Sequence, residues 1–168
     1  AISVILASAA FSTASYAADG TLNFTGKITS SACNIDASST SKGDIALGTV
    51  ASSAFTAAGD VAAPTRFTIV LPKSQEELKT ATVRFDGNPS SDSRILALTT
   101  GTGVATNVGV GIYEADSSTL IGLQKDSASQ TLTTETNTLT YIAKYYALDK
   151  SVGAGVANAS ATYTVTYN

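Results

Sequence analysis

The side chains that usually carry chemistry are sparse in this chain. It has one cysteine, Cys33, and no histidine, so the common zinc sites and thiol–imidazole pairs lack their ligands or their base. Serine is abundant, but none stands in a Gly-x-Ser-x-Gly elbow, and no histidine is present to activate one. Glu76, Glu77 and Glu135 are too scattered to nominate as an acid–base pair, and carboxylates in polar loops are solvated surface. Gly101-Thr102-Gly103 lacks the third glycine of a dinucleotide loop and no helical pattern follows it, so it reads as a turn. Asn23-Phe24-Thr25 and Asn158-Ala159-Ser160 have the spacing of a glycosylation acceptor, but both fall in extended segments rather than loops. The sequence therefore predicts no catalytic residue, no metal site and no cofactor, and hence no enzyme.

What remains is the backbone and how its strands pair. The 168 residues suffice for one domain with a real core. Hydrophobic residues make up 43% and charged ones only 14%, with abundant Ser, Thr, Ala, Gly and Val, a mix that suits short strands and turns better than helices. A net charge of −3 gives no basic footprint, which argues against nucleic acid as a partner.

Two stretches are organised most clearly. From Ala157 on, Ala157, Ala159, Ala161, Tyr163, Val165 and Tyr167 alternate with Asn158, Ser160, Thr162, Thr164 and Thr166, which predicts a strand with one buried face. Near the other end, Leu22, Phe24, Gly26 and Ile28 alternate with Thr21, Asn23, Thr25 and Lys27 in a second amphipathic strand. A strand of this kind must pair along both edges and cover its apolar face, or it invites other chains.

Between them lie further strands at Asp44 to Val50, Arg66 to Leu71, Thr80 to Asp86, Ile95 to Leu98, Val104 to Tyr113 and Thr138 to Tyr146. A small hairpin is expected around Leu120-Ile121, and Gln130 to Thr134 is weakly extended. Ala51 to Ala63 reads as a connection ending at Pro64, and Pro72 should stop the strand before it. Gly109 and Gly111 weaken their strand, and close approach by another backbone is a reason to keep them. Eight to ten strands at this spacing suit an all-β, immunoglobulin-like sandwich. Ala1 to Ala17 is an uncharged apolar run ending in small residues, read as a secretory signal without its charged beginning; a buried N-terminal strand or helix is the alternative. Its apolar part is far shorter than the roughly 20 residues that cross a membrane.

Gly155 is the fourteenth residue from the end and Tyr167 the penultimate one, and this spacing resembles the C-terminal motif of pilins assembled by the chaperone–usher pathway. The apolar-x-aromatic-x-Gly run at Leu22 to Gly26, leading to Cys33, resembles the N-terminal extension of type 1-like fimbrial subunits. Thr106 to Val110 and Tyr141 to Tyr146 look like internal strands of major pilins. The resemblance implies a division into 1–17 as signal remnant, 18–28 as N-terminal extension and 29–168 as pilin domain. It implies a sandwich lacking its last strand, completed by a donor strand from a neighbouring subunit. Leu22, Phe24, Gly26 and Ile28 would be donated, and Gly155, Ala161, Tyr163, Val165 and Tyr167 would form the acceptor groove and C-terminal motif.

The implied partners are other fimbrial subunits in a homopolymer, a periplasmic chaperone and an outer-membrane usher, with no small-molecule substrate. The implied place is a fimbrium on the bacterial surface that supports cell adhesion. Burying Leu, Phe and Ile at about 1.5 to 3 kcal/mol each contributes roughly 5 to 9 kcal/mol before ordering costs. Residues 18–28 reach about 36 Å when extended, enough to span such a groove. The family's second cysteine is missing, with Ser74 at its place, so Cys33 is expected as a free buried thiol or, alternatively, a site of dimerisation. A minor fimbrial adaptor or a secreted carbohydrate-binding sandwich is the alternative function, poorly supplied with stacking surface because tryptophan is absent and aromatics are 7%.

Overall fold

A computed structural model of the protein describes residues 18–30, 43–71 and 78–168. The expected signal at 1–17, Cys33 and Ser74 lie outside the described residues. The strands are β1 (Gly20–Thr29), β2 (Asp44–Ala51), β3 (Val61–Leu71), β4 (Thr80–Gly87), β5 (Leu96–Ala97), β6 (Val108–Glu114), β7 (Leu120–Ile121), β8 (Gln130–Thr131), β9 (Asn137–Ala147), β10 (Gly155–Val156) and β11 (Ala159–Tyr167). A 3-10 turn, Ser52–Ala54, follows β2.

The strands form two sheets with the core between them, the all-β sandwich that strand spacing implied. One sheet runs β3-β9-β6-β5, with β7 beside β6. In the other, β1 is flanked on one edge by β11 and β10 and on the other by β2, and β4 and β8 continue outward from β11. Every named pairing is antiparallel except β1 with β2. A parallel pair needs a crossover, and residues 30–43 connect the two strands.

Alternation decides what each strand buries. Leu139, Tyr141, Ala143, Tyr145 and Ala147 of β9 lie beside Phe67, Ile69 and Leu71 of β3 and Val108, Val110 and Ile112 of β6 on the inner face of one sheet, within one core. Phe67, Phe85 and Tyr141 meet there with centroids 5.2 to 6.1 Å apart, bridging the sheets. Gly109 sits where it does because a Cβ would come within 2.6 Å of the Leu96 carbonyl oxygen, so β5 approaches as closely as the sequence pattern suggested.

Two strand starts differ from expectation by four residues or more. β3 begins at Val61 rather than Arg66 and runs through Pro64, because its register slips between Ala62 and Thr65 and Ala63 adopts a φ of 54°. β3 is an outer strand of its sheet, where a bulge accommodates a residue without an N–H. β6 begins at Val108 rather than Val104, since Asn107 has a φ of 58°. Val104 and Thr106 make only isolated bridges, to Val156 and Gly153.

Candidate functional site

The site is a slot in the sandwich between β2 and β11, and β1 lies in it. Leu22, Phe24 and Ile28 are buried and Thr21, Asn23, Thr25 and Lys27 are exposed, as their alternation requires. Along one edge the register runs from Gly20↔Tyr163 to Phe24↔Ala159 and continues as Lys27↔Val156 and Ile28↔Gly155. Along the other, Asn23↔Asp44 to Thr29↔Ala51 pair in parallel, with a shift between Thr25 and Gly26. The position expected from a neighbour is therefore filled, in the single chain, by its own residues.

Phe24 is fully buried, its ring edge-on to Phe67 at 5.9 Å, so the inserted strand supplies the fourth ring of the cluster that joins both sheets. Gly26 lies where no side chain fits. A Cβ there would collide with the Tyr145 hydroxyl and come within 2.5 Å of the Gly48 carbonyl oxygen. Tyr145 holds its ring in place by donating to the Ala157 carbonyl at 2.8 Å, and burial pushes its hydroxyl pKa up. The Gly26 backbone is tied on both sides of its peptide: its N–H donates to Asn158 Oδ1 at 3.1 Å and its carbonyl accepts from Ala157 N–H at 3.0 Å. On the outer face, Asn23 donates to Asp44 Oδ1 at 3.3 Å and accepts from Ser160 Oγ at 3.2 Å, clamping β1 to both neighbours.

The expected groove residues are placed unequally. Ala161 is buried opposite Leu22, and Tyr163 and Val165 are half-buried against the core. Tyr167 is exposed and lies beyond the end of β1. Gly155 faces Ile28, and its lack of a side chain admits the 103–105 backbone, since a Cβ would lie 2.5 Å from Ala105 N and from Gly103 O. Sequence reasoning did not assign Gly48, Tyr145 or Asn158 to the slot, and met Asn158 only on the polar side of an alternation and in a glycosylation spacing. Tyr145 carried a signal, falling on the inward face of the long aromatic strand; the others are polar or small residues whose role exists only once β1 is in place.

The arrangement holds an extended strand by backbone pairing along both of its edges. Backbone ladders give affinity and alternate pockets give register. A family sequence profile described as "Fimbrial protein" matches residues 22–168. The chain is 34% identical over 151 residues to a probable major fimbrial subunit, LpfA, of Escherichia coli O157:H7, covering 89% of this chain and 84% of that one. It is 31% identical over 164 residues to long polar fimbria protein A of Salmonella typhimurium, covering 95% and 91%. Among solved structures, an antigen and type I fimbria protein of Burkholderia pseudomallei superposes with a TM-score of 0.70 at 33% identity, covering 88% of this chain and 97% of that one. The P pilus rod subunit PapA shares the fold, with a TM-score of 0.55 at 22% identity over 83% of this chain and 95% of that one. The chain belongs to the fimbrial protein family.

Proposed function

We propose that the protein is a structural subunit of a bacterial surface fimbria and polymerises by donor-strand exchange. Residues 20–29 of one copy would occupy the slot between β2 and β11 of the next, in place of that copy's own strand. One observation carries the reading. The strand that closes the core is an amphipathic segment paired along both edges and linked in the chain to β2 through residues 30–43, so an identical segment from another copy presents the same chemistry. Head-to-tail insertion never closes a ring, and its product is a fibre. Whenever the chain's own strand is out of the slot a substitute strand is needed, the role of a periplasmic chaperone, with an outer-membrane usher as the exit to the surface. The names of the fimbrial relatives support this reading.

The test is deletion of residues 18–28. The shortened chain should depend on a chaperone for solubility and form no polymer. Surface-sheared wild-type material should run as a ladder on an unheated detergent gel and collapse to monomer on boiling. A deleted chain that is soluble and monomeric by itself, or that still polymerises, rejects the donor assignment. The second reading, a carbohydrate-binding module, has as one candidate the cleft of about 760 Å³ lined by Arg94, Glu114, Asp116, Lys125 and Asp126. No aromatic ring lines that cleft, and Glu114 and Asp116 are already bonded to the Ala128, Ser118 and Thr119 N–H groups.

A further inference from the structure

At the middle of β1 a side chain has taken over a bond that belongs to the backbone. Phe24↔Ala159 on one side and Lys27↔Val156 on the other keep the same register, which sets Gly26 opposite Ala157. The Ala157 N–H donates to the Gly26 carbonyl at 3.0 Å, so the two form a hydrogen-bonded antiparallel pair, in which the Gly26 N–H would ordinarily donate back to the Ala157 carbonyl. That carbonyl is taken: it accepts from the buried Tyr145 hydroxyl at 2.8 Å. The Gly26 N–H goes instead to Asn158 Oδ1 at 3.1 Å. An N–H can only donate, so the Asn158 amide must turn its oxygen to β1. Asn158 is braced in turn, since its backbone carbonyl accepts from Thr99 N–H at 2.7 Å. The substitution falls at the same glycine whose missing side chain makes room for the Tyr145 hydroxyl.

We propose that Tyr145 and Asn158 form a clasp that retains the N-terminal strand at its centre, with Asn158 as the positioning residue that returns to the strand the acceptor Tyr145 removes. This gives Asn158, which the sequence offers only in a polar alternation and a glycosylation spacing, a part in the ladder. The clasp accepts an extended segment with a glycine whose N–H is free and with apolar residues two positions before and after it, as Phe24 and Ile28 stand about Gly26. A strand displaced by two residues would bring Phe24 or Ile28 to the place where the Tyr145 hydroxyl and the Gly48 carbonyl oxygen leave no room, and a shift of one would turn every side chain to the wrong face. Sterics and hydrogen bonding therefore read the same residue: glycine alone fits, and Asn158 then holds it by its N–H. The inference rests on the polymerisation reading only in its extension to a second copy, whose strand would present the same glycine and be retained in the same way.

The experiment follows amide hydrogen exchange in the purified full chain and in Asn158→Ala, Asn158→Asp, Tyr145→Phe and the double variant Tyr145→Phe/Asn158→Ala, reading Gly26 against Phe24 on the same strand. General loss of stability speeds both amides, whereas loss of the clasp speeds Gly26 alone. In Asn158→Ala the ratio of Gly26 to Phe24 exchange should rise roughly tenfold, the worth of one ordinary hydrogen bond; Asn158→Asp keeps an acceptor and should stay near wild type. In Tyr145→Phe the Ala157 carbonyl is free to take the Gly26 N–H, and adding Asn158→Ala should then leave the ratio unchanged. An unchanged ratio in Asn158→Ala alone, or the same rise with and without the Tyr145 hydroxyl, overturns the clasp. These exchange rates need no assembly. Polymer of Asn158→Ala, warmed in detergent, should release subunits severalfold faster than wild-type polymer; equal release overturns the extension to a second copy, and a wild-type chain that never polymerises rejects the polymerisation reading by itself.

Discussion

Gly26 and Asp116 show how single residues set the tolerances of this fold. At Gly26 two obstacles coincide, the Tyr145 hydroxyl and the Gly48 carbonyl oxygen. A side-chain end can move, but backbone in a paired strand cannot move cheaply. Gly26→Ala should therefore lower stability by about 1 to 3 kcal/mol, the usual cost of overpacking, and Tyr145→Phe should not rescue it, because Gly48 remains. Denaturant melts of the two single variants and the double variant check this; full rescue would make Tyr145 the sole obstacle. Asp116 is exposed and acts through hydrogen bonds: the Thr119 hydroxyl first, then the Thr119 and Ser118 N–H groups, hold its carboxyl down to about 2 from an ordinary 3.8. A carboxylate with a lowered native pKa contributes stability that is complete above its unfolded value and lost as pH falls through the native one. The melting temperature of the wild type should thus fall more steeply between pH 4 and about 2 than that of Asp116→Asn, as thermal melts across that range would show. Equal slopes would mean that the 116–119 turn opens without consequence.

Among the elements, β1 decides most, and it was also the most legible. Leu22, Phe24 and Ile28 are apolar at a strict period of two, with polar or charged residues between, and a strand with one buried face is the one structure that satisfies that pattern. What the pattern could not convey is whose slot the strand fills, since a neighbour's and the chain's own are chemically identical. β3 was misjudged at its start for a related reason: Pro64 argues against a ladder locally, and only the outer position of β3 in its sheet makes the missing N–H harmless. The outer side of β9 was illegible altogether. Ile142 and Lys144 lie there and both are buried, which strand alternation alone does not indicate; Lys144 donates to the Ser117 carbonyl and lies 4.5 Å over the Tyr113 ring. The weight of β1 can be measured through one ring. Phe24→Ala should cost about 3 to 5 kcal/mol, while Thr25→Ala, one residue on and exposed, should stay within about 0.5 kcal/mol. Denaturant midpoints of the two variants test this, and comparable costs would mean that β1 is held by its backbone rather than by its side chains.

At the scale of the whole molecule, the fold is one sandwich with two possible sources for the same strand. Its own segment is held close by residues 30–43, which favours self-closure through high effective concentration. A competing copy of equal proximity would remove that advantage. β11 ends beside the slot, and a strand following it through a short turn would run antiparallel to it, the sense that β1 already has. A chain carrying a second copy of residues 18–29 after Asn168, joined by a hairpin turn, would therefore hold two equivalent candidates for one slot. It should be monomeric at every concentration and more stable than the wild type, because the slot stays filled when either strand leaves. Its decisive property is tolerance: Gly26→Ala in the first copy, costly in the natural chain, should become nearly silent, while the same change in both copies should restore the loss. Melts of these variants, with size-exclusion chromatography to confirm a single subunit, measure it. If the first copy remains sensitive to Gly26→Ala despite the second, β1 is a fixed part of this domain rather than an exchangeable one, and the polymerisation reading loses its physical basis.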